Sequence, residues 1–361
     1  MNGGQALDVL IVSLGSTEGL RTADQQLLGS IERAGASVAI AQARAPKPTR
    51  TLMLTDLAWA RAARAAAATA LAQFAPRAII YSSTTASLLG PRAGAIRFDA
   101  PSAGNRPGRH GLWQRPLERR RLAQAQLLLA LSEGGLNEVP AAARRGERAL
   151  VLPAPVDPSG GPGQGRDLPA RDIAAITYAS NPSKKGLDRV LSAWHSVRAR
   201  EGSPSQTSRD PQELVVAGVS EQDLQRAGYD LTHEPGVRVV GALSHEHYRA
   251  LVRRARVFIC APRREDYGAA QLEALADGCL LVSTPAPGPY AALAIARELD
   301  PRLISEDLAA ALQIALEDPA RGYALRAREA LGPYSSASVD ELVATELLPR
   351  LLGSALLAGG S

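Results

Sequence analysis

Short, mainly apolar runs alternate with helix-patterned segments along almost the whole chain. The series opens at Asp8–Leu14 (DVLIVSL) and continues through Ser37–Ala41, Arg77–Tyr81, Ala95–Asp99, Leu127–Ser132 and Arg148–Leu152. It resumes at Ile173–Ala179, Leu214–Gly218, Val237–Val240, Val257–Ala261 and Cys279–Ser283. A strand apolar at nearly every position is covered on both faces, which is the condition of a parallel sheet between helical layers. Segments such as Thr55–Phe74 and Leu187–Glu201 have the composition of the crossover helices such a sheet needs. The pattern predicts an α/β chain before any motif is considered.

The series is interrupted once, by Ser159–Gly165 (SGGPGQG), a flexible linker by composition. The chain has 361 residues, beyond the roughly 250–300 at which a single core stops growing. Two successive Rossmann-like domains follow, residues 1–165 and 166–333, with a ligand expected in the cleft between them. A final amphipathic helix, Val339–Leu352, and a tail make up 334–361.

Composition narrows the function classes. A formal charge of +5 suits an anionic partner or a solvated basic surface. The excess is concentrated between Arg92 and Arg121, which hold eight arginines against Asp99 and Glu118. Arg106 and Arg109 sit there on a Gly/Pro-rich loop with His110 and Trp113, a setting suited to an anionic ligand. Arg119, Arg120 and Arg121 read equally as a solvated helix face. No nucleic-acid module, Walker loop or zinc spacing is present, so neither nucleic acid nor a metal is expected, and no cofactor. Cys260 and Cys279 lie in apolar runs, as buried free thiols do. No signal peptide or membrane-spanning run is legible. The expectation is a cytoplasmic protein, with peripheral membrane contact still open.

Two loops concentrate chemistry. In VFICAPRREDYGAAQLEALADGCLLVST, residues 257–284, a strand is followed by a charged loop, a helix starting at Gly268, and a second strand. The unsatisfied N–H groups of that helix start and its dipole suit a phosphate, and glycine lets it approach closely. Glu265 on the loop and Glu273 inside the helix can accept hydrogen bonds from sugar hydroxyls, or can be two surface carboxylates. The second loop, Asn181-Pro182-Ser183-Lys184-Lys185-Gly186, also lies between a strand and a helix. It offers lysine charge to a phosphate, or is a solvated polar turn. Gly15, at the end of the first apolar run, sits in a third such turn.

These residues resemble the retaining GT-B glycosyltransferases of family 4. The resemblance rests on Glu265-x7-Glu273, on Lys185-Gly186-Leu187-Asp188, on Ser283-Thr284 followed by Gly288-Pro289-Tyr290, and on Ser132 and Pro153–Asp157. It implies two facing Rossmann-like domains with a C-terminal helix crossing back to the first. It also implies sugar transfer from a nucleotide-diphosphate sugar without a metal. Glu273 would hold the ribose, Glu265 the donor sugar, and Lys185 with Gly268 the diphosphate. Gly241 and Leu243 would meet the base, Gly15 would close on the phosphates, and Asn181 and Tyr267 would complete the donor site. Arg106, Arg109 and Trp113 are the acceptor-side candidates, for an anionic or phosphate-bearing acceptor. Two positions depart from the family: Ser180 stands where it commonly has arginine, and Phe98-Asp99 where it often has histidine. Asp99 or His110 then stands nearest to the missing histidine's role. The alternative reading is a GT-B-shaped protein that binds a nucleotide or anion without transferring sugar.

Overall fold

The computed structural model describes residues 4–106, 108–144, 146–160, 171–201, 213–231 and 234–353. The domain boundary expected between residues 165 and 166 lies outside them. By its internal contacts the chain divides into two compact units, Met1–Pro155 with Pro333–Ser361, and Val156–Gly332.

The first unit is a six-stranded sheet of β1 (Gln5–Ser13), β2 (Val38–Gln42), β3 (Phe74–Tyr81), β4 (Ala95–Phe98), β5 (Leu128–Ala130) and β6 (Ala149–Val151). Its order is β2-β1-β3-β4-β5-β6, with every pairing parallel. Its helices are α1 (Glu18–Arg33), α2 (Leu52–Gln73), α3 (Thr84–Ser87), α4 (Ser102–Asn105), α5 (Gln114–Gln124) and α6 (Glu133–Asn137). Both faces of β1 are covered, which is why its sequence does not alternate. Leu10 and Val12 pack on one side against Ala63 and Ala67 of α2. Val9 and Ile11 pack on the other against Leu27 and Ile31 of α1 and against Val339, Val343 and Leu347. Each side chain so buried contributes about 2 kcal/mol of hydrophobic free energy.

The C-terminal segment therefore belongs to the first unit's core. It is not the single helix expected over 339–352. Ser336–Leu342 is α-helical, Val343–Leu347 is a π-turn, and Leu348–Leu352 is α-helical again. Pro349 accounts for the break: it has no N–H to give its own i−4 carbonyl, and a wider turn accommodates its ring. Helix α1 starts at Glu18, because the Thr17 side chain accepts the Leu20 N–H and caps it.

The second unit repeats the architecture with β7 (Ile173–Tyr178), β8 (Leu214–Ala217), β9 (Val237–Gly241), β10 (Ala255–Cys260) and β11 (Leu280–Ser283), ordered β11-β10-β7-β8-β9 and all parallel. Its helices are α7 (Pro182–Lys185), α8 (Leu187–Glu201), α9 (Glu221–Arg226), α10 (His245–Arg254), α11 (Ala269–Ala276), α12 (Ala291–Leu299), α13 (Leu308–Glu317) and α14 (Tyr323–Ala330). Strand order runs outward from β7 through β8 to β9, then returns to the other side of β7 with β10. The β7/β10 junction is thus the switch point, and open α/β sheets form their ligand crevice beyond the strand ends at such a point. No described helix is long and apolar enough to cross a membrane.

Candidate active site

The loops that leave β7 and β10 are the two that the sequence marks as chemically loaded, and the switch point brings them together. After β7, Asn181 caps α7 by accepting the Lys184 N–H at 2.9 Å. Gly186 then turns in the left-handed region, at φ 66°. A Cβ there would stand 1.9 Å from the carbonyl oxygen of Ala261, so glycine is what lets the two loops touch. Arg263 ties them further, its N–H donating to the Lys184 carbonyl and its guanidinium to Ser183 O and Asp188.

Lys185 is thereby aimed at Glu265. Its Nζ donates to Glu265 Oε2 at 2.6 Å, and the Gln271 amide lies 3.4 Å from the same oxygen. Glu265 is buried, and its backbone N–H is held by Pro287 O. Lysine has three N–H donors, so the one given to Glu265 leaves others for a second acidic group. Lys185 can thus stand between a carboxylate and a phosphate and offset their mutual repulsion.

Helix α11 starts beside this pair. Gly268, at φ 86°, is its first flanking residue, and no side chain caps it. The first-turn N–H groups therefore point outward, with the positive end of the helix dipole, toward any anion placed there. Gly268 is close under the ring of Tyr290, where a Cβ would approach to 2.7 Å. Tyr267 is buried and its carbonyl accepts the Ala291 N–H, so it frames the loop from within.

Glu273 is one turn further along α11 and belongs to a different local group. His245 Nε2 lies 2.8 Å from its Oε1. His245 follows β9, whose last residue, Gly241, pairs across a register shift with Ala217 at φ 75°. This bulge turns the chain out through Ala242 and the half-buried Leu243 into α10, capped by Ser244. The involvement of His245 was not read from the sequence: 28 residues separate it from Glu273, and its only local signal was its place at a helix start.

The candidates of the first unit lie at its own strand ends. Gly15 turns at φ 55° against Gln42, and its carbonyl accepts from Arg21. Asp99 follows β4, is exposed, and accepts the Ala100 N–H at 2.7 Å. The arginine-rich segment divides into two kinds of residue. Arg106 makes a forked pair with Asp56 of α2, at 2.8 and 3.2 Å. Arg115 donates to Gly108 O and Gly111 O, and Arg121 to Leu88 O and Gly90 O. Arg97 is buried beside Asp24. These four hold the loops in place, whereas Arg92, Arg109, Arg119 and Arg120 are exposed. Trp113 is half-buried, its indole N–H without a hydrogen-bond partner among the described residues. His110 falls in the 3-10 turn Gly108–Gly111; its side chain lies outside the described residues. Beneath the segment, Glu118 accepts from both the N–H and the hydroxyl of Ser102, and its burial pushes its pKa up.

Both cysteines are free and buried, and burial raises both thiols, Cys279 to about 12. They are packing residues, not nucleophiles. Among the described residues no three of His, Cys, Asp and Glu gather as a metal-ligating cluster. A cavity of about 510 Å³ flanks the second unit's site between α8 and the start of α13, lined by Asp188, Arg189, Thr284 and Asp307 among others. Neither Lys185, Glu265 nor Glu273 lines it.

Comparison with known proteins follows this division between the units. Residues 166–335 match the family model of glycosyl transferases group 1. The chain carries a group 1 glycosyltransferase domain. A GDP-mannose:cellobiosyl-diphosphopolyprenol alpha-mannosyltransferase of Xanthomonas oryzae pv. oryzae is 29% identical over 152 residues, 41% of this chain and 37% of that protein. The match thus spans little more than a third of that relative's length. Among solved structures, WaaG, a glycosyltransferase involved in lipopolysaccharide biosynthesis, superposes with a TM-score of 0.64 at 15% identity. It covers 94% of this chain and 98% of its own. Anabaena HepE, in complex with UDP and glucose, gives 0.62 at 16% identity, over 94% and 99%. At these identities the likeness is one of fold, and the fold is GT-B: two α/β units with parallel sheets, the second being the group 1 glycosyltransferase domain.

Proposed function

We propose that the protein is a retaining glycosyltransferase that takes a sugar from a nucleotide-diphosphate donor and passes it to a phosphate-bearing acceptor. The observation that carries this reading is the meeting of Lys185, Glu265 and the uncapped start of α11 at the β7/β10 switch point. The diphosphate lies against the first-turn N–H groups of α11 and takes the remaining Lys185 donors. Glu265, on the other side of Lys185, accepts from the donor sugar hydroxyls. Glu273 accepts from the ribose, and the Gly241–Leu243 turn meets the base through its backbone.

The chemical task is to stabilise negative charge that grows on the leaving diphosphate. Preorganised donors in a partly buried site do this well, because they need no reorganisation as the bond breaks. Lys185 and the helix start supply that charge, so the reading calls on no metal ion. Gly15, in the first unit, is a phosphate-binding candidate by the family resemblance alone. Asp99 and His110 are the first unit's candidates for the reacting centre, while Arg109, Arg106 and Trp113 form the acceptor side. Arg106 acts there mainly by fixing the loop, since its fork is held by Asp56. The mannosyltransferase relative makes GDP-mannose the first donor to try and a lipid-linked diphosphate sugar the first acceptor, placing the enzyme's work at a membrane surface from the cytoplasmic side.

The test is turnover. The purified protein is incubated with GDP-mannose and with UDP-glucose, with and without a bacterial lipid extract, and release of the nucleoside diphosphate is scored. The reading expects acceptor-dependent release with one donor, and an anomeric configuration in the product, read by NMR, that matches the donor's. Nucleotide binding without release from any donor in a panel would favour a non-transferring binder, which Ser180 and Asp99 in place of the family's basic residues also allow.

A further inference from the structure

Two side-chain pairs join α10 to α11 and its C-cap residue Asp277, and they are spaced alike. Arg249 Nε meets Asp277 at 2.7 Å, and His245 Nε2 meets Glu273 at 2.8 Å. Each pair is four residues from the other along both helices, so both lie on one face of α10 and one face of α11. The first rung is fully buried; its carboxylate also accepts from Ser159, and its guanidinium reaches Asp157 O. It fixes the register of the two helices. The second rung lies at the strand-end edge, with the His245 side chain 48% exposed and Glu273 18%. Between the rungs Tyr248 is buried, its ring 5.1 Å from that of Tyr178. Its hydroxyl has no hydrogen-bond partner among the described residues, and burial, then the charge of Glu273, keeps it protonated.

A partly exposed pair of this kind adds little to folding, about 0–1 kcal/mol, and the buried rung already locks the helices. The effect of the outer rung falls instead on the carboxylate. A glutamate held at one oxygen loses its rotamer freedom before a ligand arrives and presents the other oxygen in one direction.

We propose that His245 is a positioning residue for the nucleotide: by holding Glu273 Oε1 it aims the carboxylate at the ribose diol, and so sets the preference for ribonucleotides over 2′-deoxyribonucleotides. This rests on the assignment of Glu273 to the ribose. His245 itself touches Glu273, not the reacting atoms. In the ribonucleotide complex two hydroxyls donate to the fixed carboxylate, and a 2′-deoxynucleotide forfeits one of these bonds to a charged acceptor. When the carboxylate is loose, it can swing to favour the remaining hydroxyl, and the difference between the two ligands shrinks.

The experiment measures, by titration calorimetry, the affinities of UDP, GDP and their 2′-deoxy counterparts for the wild type and for His245→Ala, His245→Gln and Glu273→Ala. Unchanged thermal unfolding of the variants sets folding effects aside. For whichever base the wild type binds, the expected ratio of deoxy to ribo dissociation constants is about tenfold. It collapses toward one in His245→Ala and in Glu273→Ala, and is restored in His245→Gln, whose amide N–H can replace Nε2. A ratio that falls in Glu273→Ala but stays at the wild-type value in His245→Ala overturns the positioning role and leaves the ribose assignment standing. A ratio unmoved in Glu273→Ala, or no binding of either nucleotide by the wild type, overturns both. If His245→Ala lowers stability and affinity for all ligands equally, its role is structural and the proposal is wrong.

Discussion

The strand-end edges of the two units commit their charged residues differently. In the second unit, the polar side chains at the edge are paired with one another across loops: Lys185 with Glu265, and His245 with Glu273. Each pair has a member with donors or lone pairs left for a ligand. In the first unit, the arginine-rich stretch looks more functional in sequence. There, however, Arg106, Arg115, Arg121 and Arg97 are tied to Asp56, backbone carbonyls and Asp24. Density of charge is therefore a poor guide to a site. What marks the second unit's edge is that its charges converge at a switch point beside an uncapped helix start.

The comparison breaks first behind the second unit's edge, at the buried Arg249–Asp277 pair. Arg249→Ala would leave Asp277 with its buried charge short of its strongest partner. A loss of about 3–5 kcal/mol in the stability of the second unit is expected, by denaturant unfolding. Lys185→Ala takes the cation from the buried Glu265, so a smaller loss of stability than for Arg249→Ala is expected, together with a cut in sugar transfer of about 10²–10³-fold. An effect confined to unfolding would put Lys185 among the structural cations of the first unit and erase the distinction. The smallest effect concerns Glu118, beneath the arginine-rich loop. Burial raises its pKa above the ordinary 4.5, so the folded unit holds this proton after the unfolded chain has lost it. Stability then falls as pH rises from the ordinary carboxylate value through the raised one. Glu118→Gln should flatten part of that fall in thermal unfolding above pH 4.5. Asp24, raised for the same reason, sustains the rest.

Much of this fold was legible in the sequence, for a physical reason. Strands buried on both faces are apolar at nearly every position, and β1, β7 and β10 could be read within a few residues. The same holds for α8, read over Leu187–Glu201, and for the start of α11 at Gly268. Helix α12 was not read, because Ala291–Leu299 follows a Gly-Pro turn and is apolar nearly all round. The π-turn at Val343–Leu347 was not read either, although Pro349 was its signal. Of the candidate site, Lys185, Glu265 and Gly268 were legible because each sits on a strand-to-helix loop, where sequence position and sheet topology coincide. Pairings between distant segments were not: nothing local in His245, or in Arg106 and Asp56, states which partner the fold will give it.

The claim that the second unit's edge grips the donor stands or falls on Glu273. Titration calorimetry with GDP-mannose and UDP-glucose on the wild type and on Glu273→Ala measures it directly. The account predicts that the wild type binds one of the two and that Glu273→Ala binds it at least about tenfold more weakly, with its thermal unfolding unchanged. Equal affinities in the two proteins would contradict it.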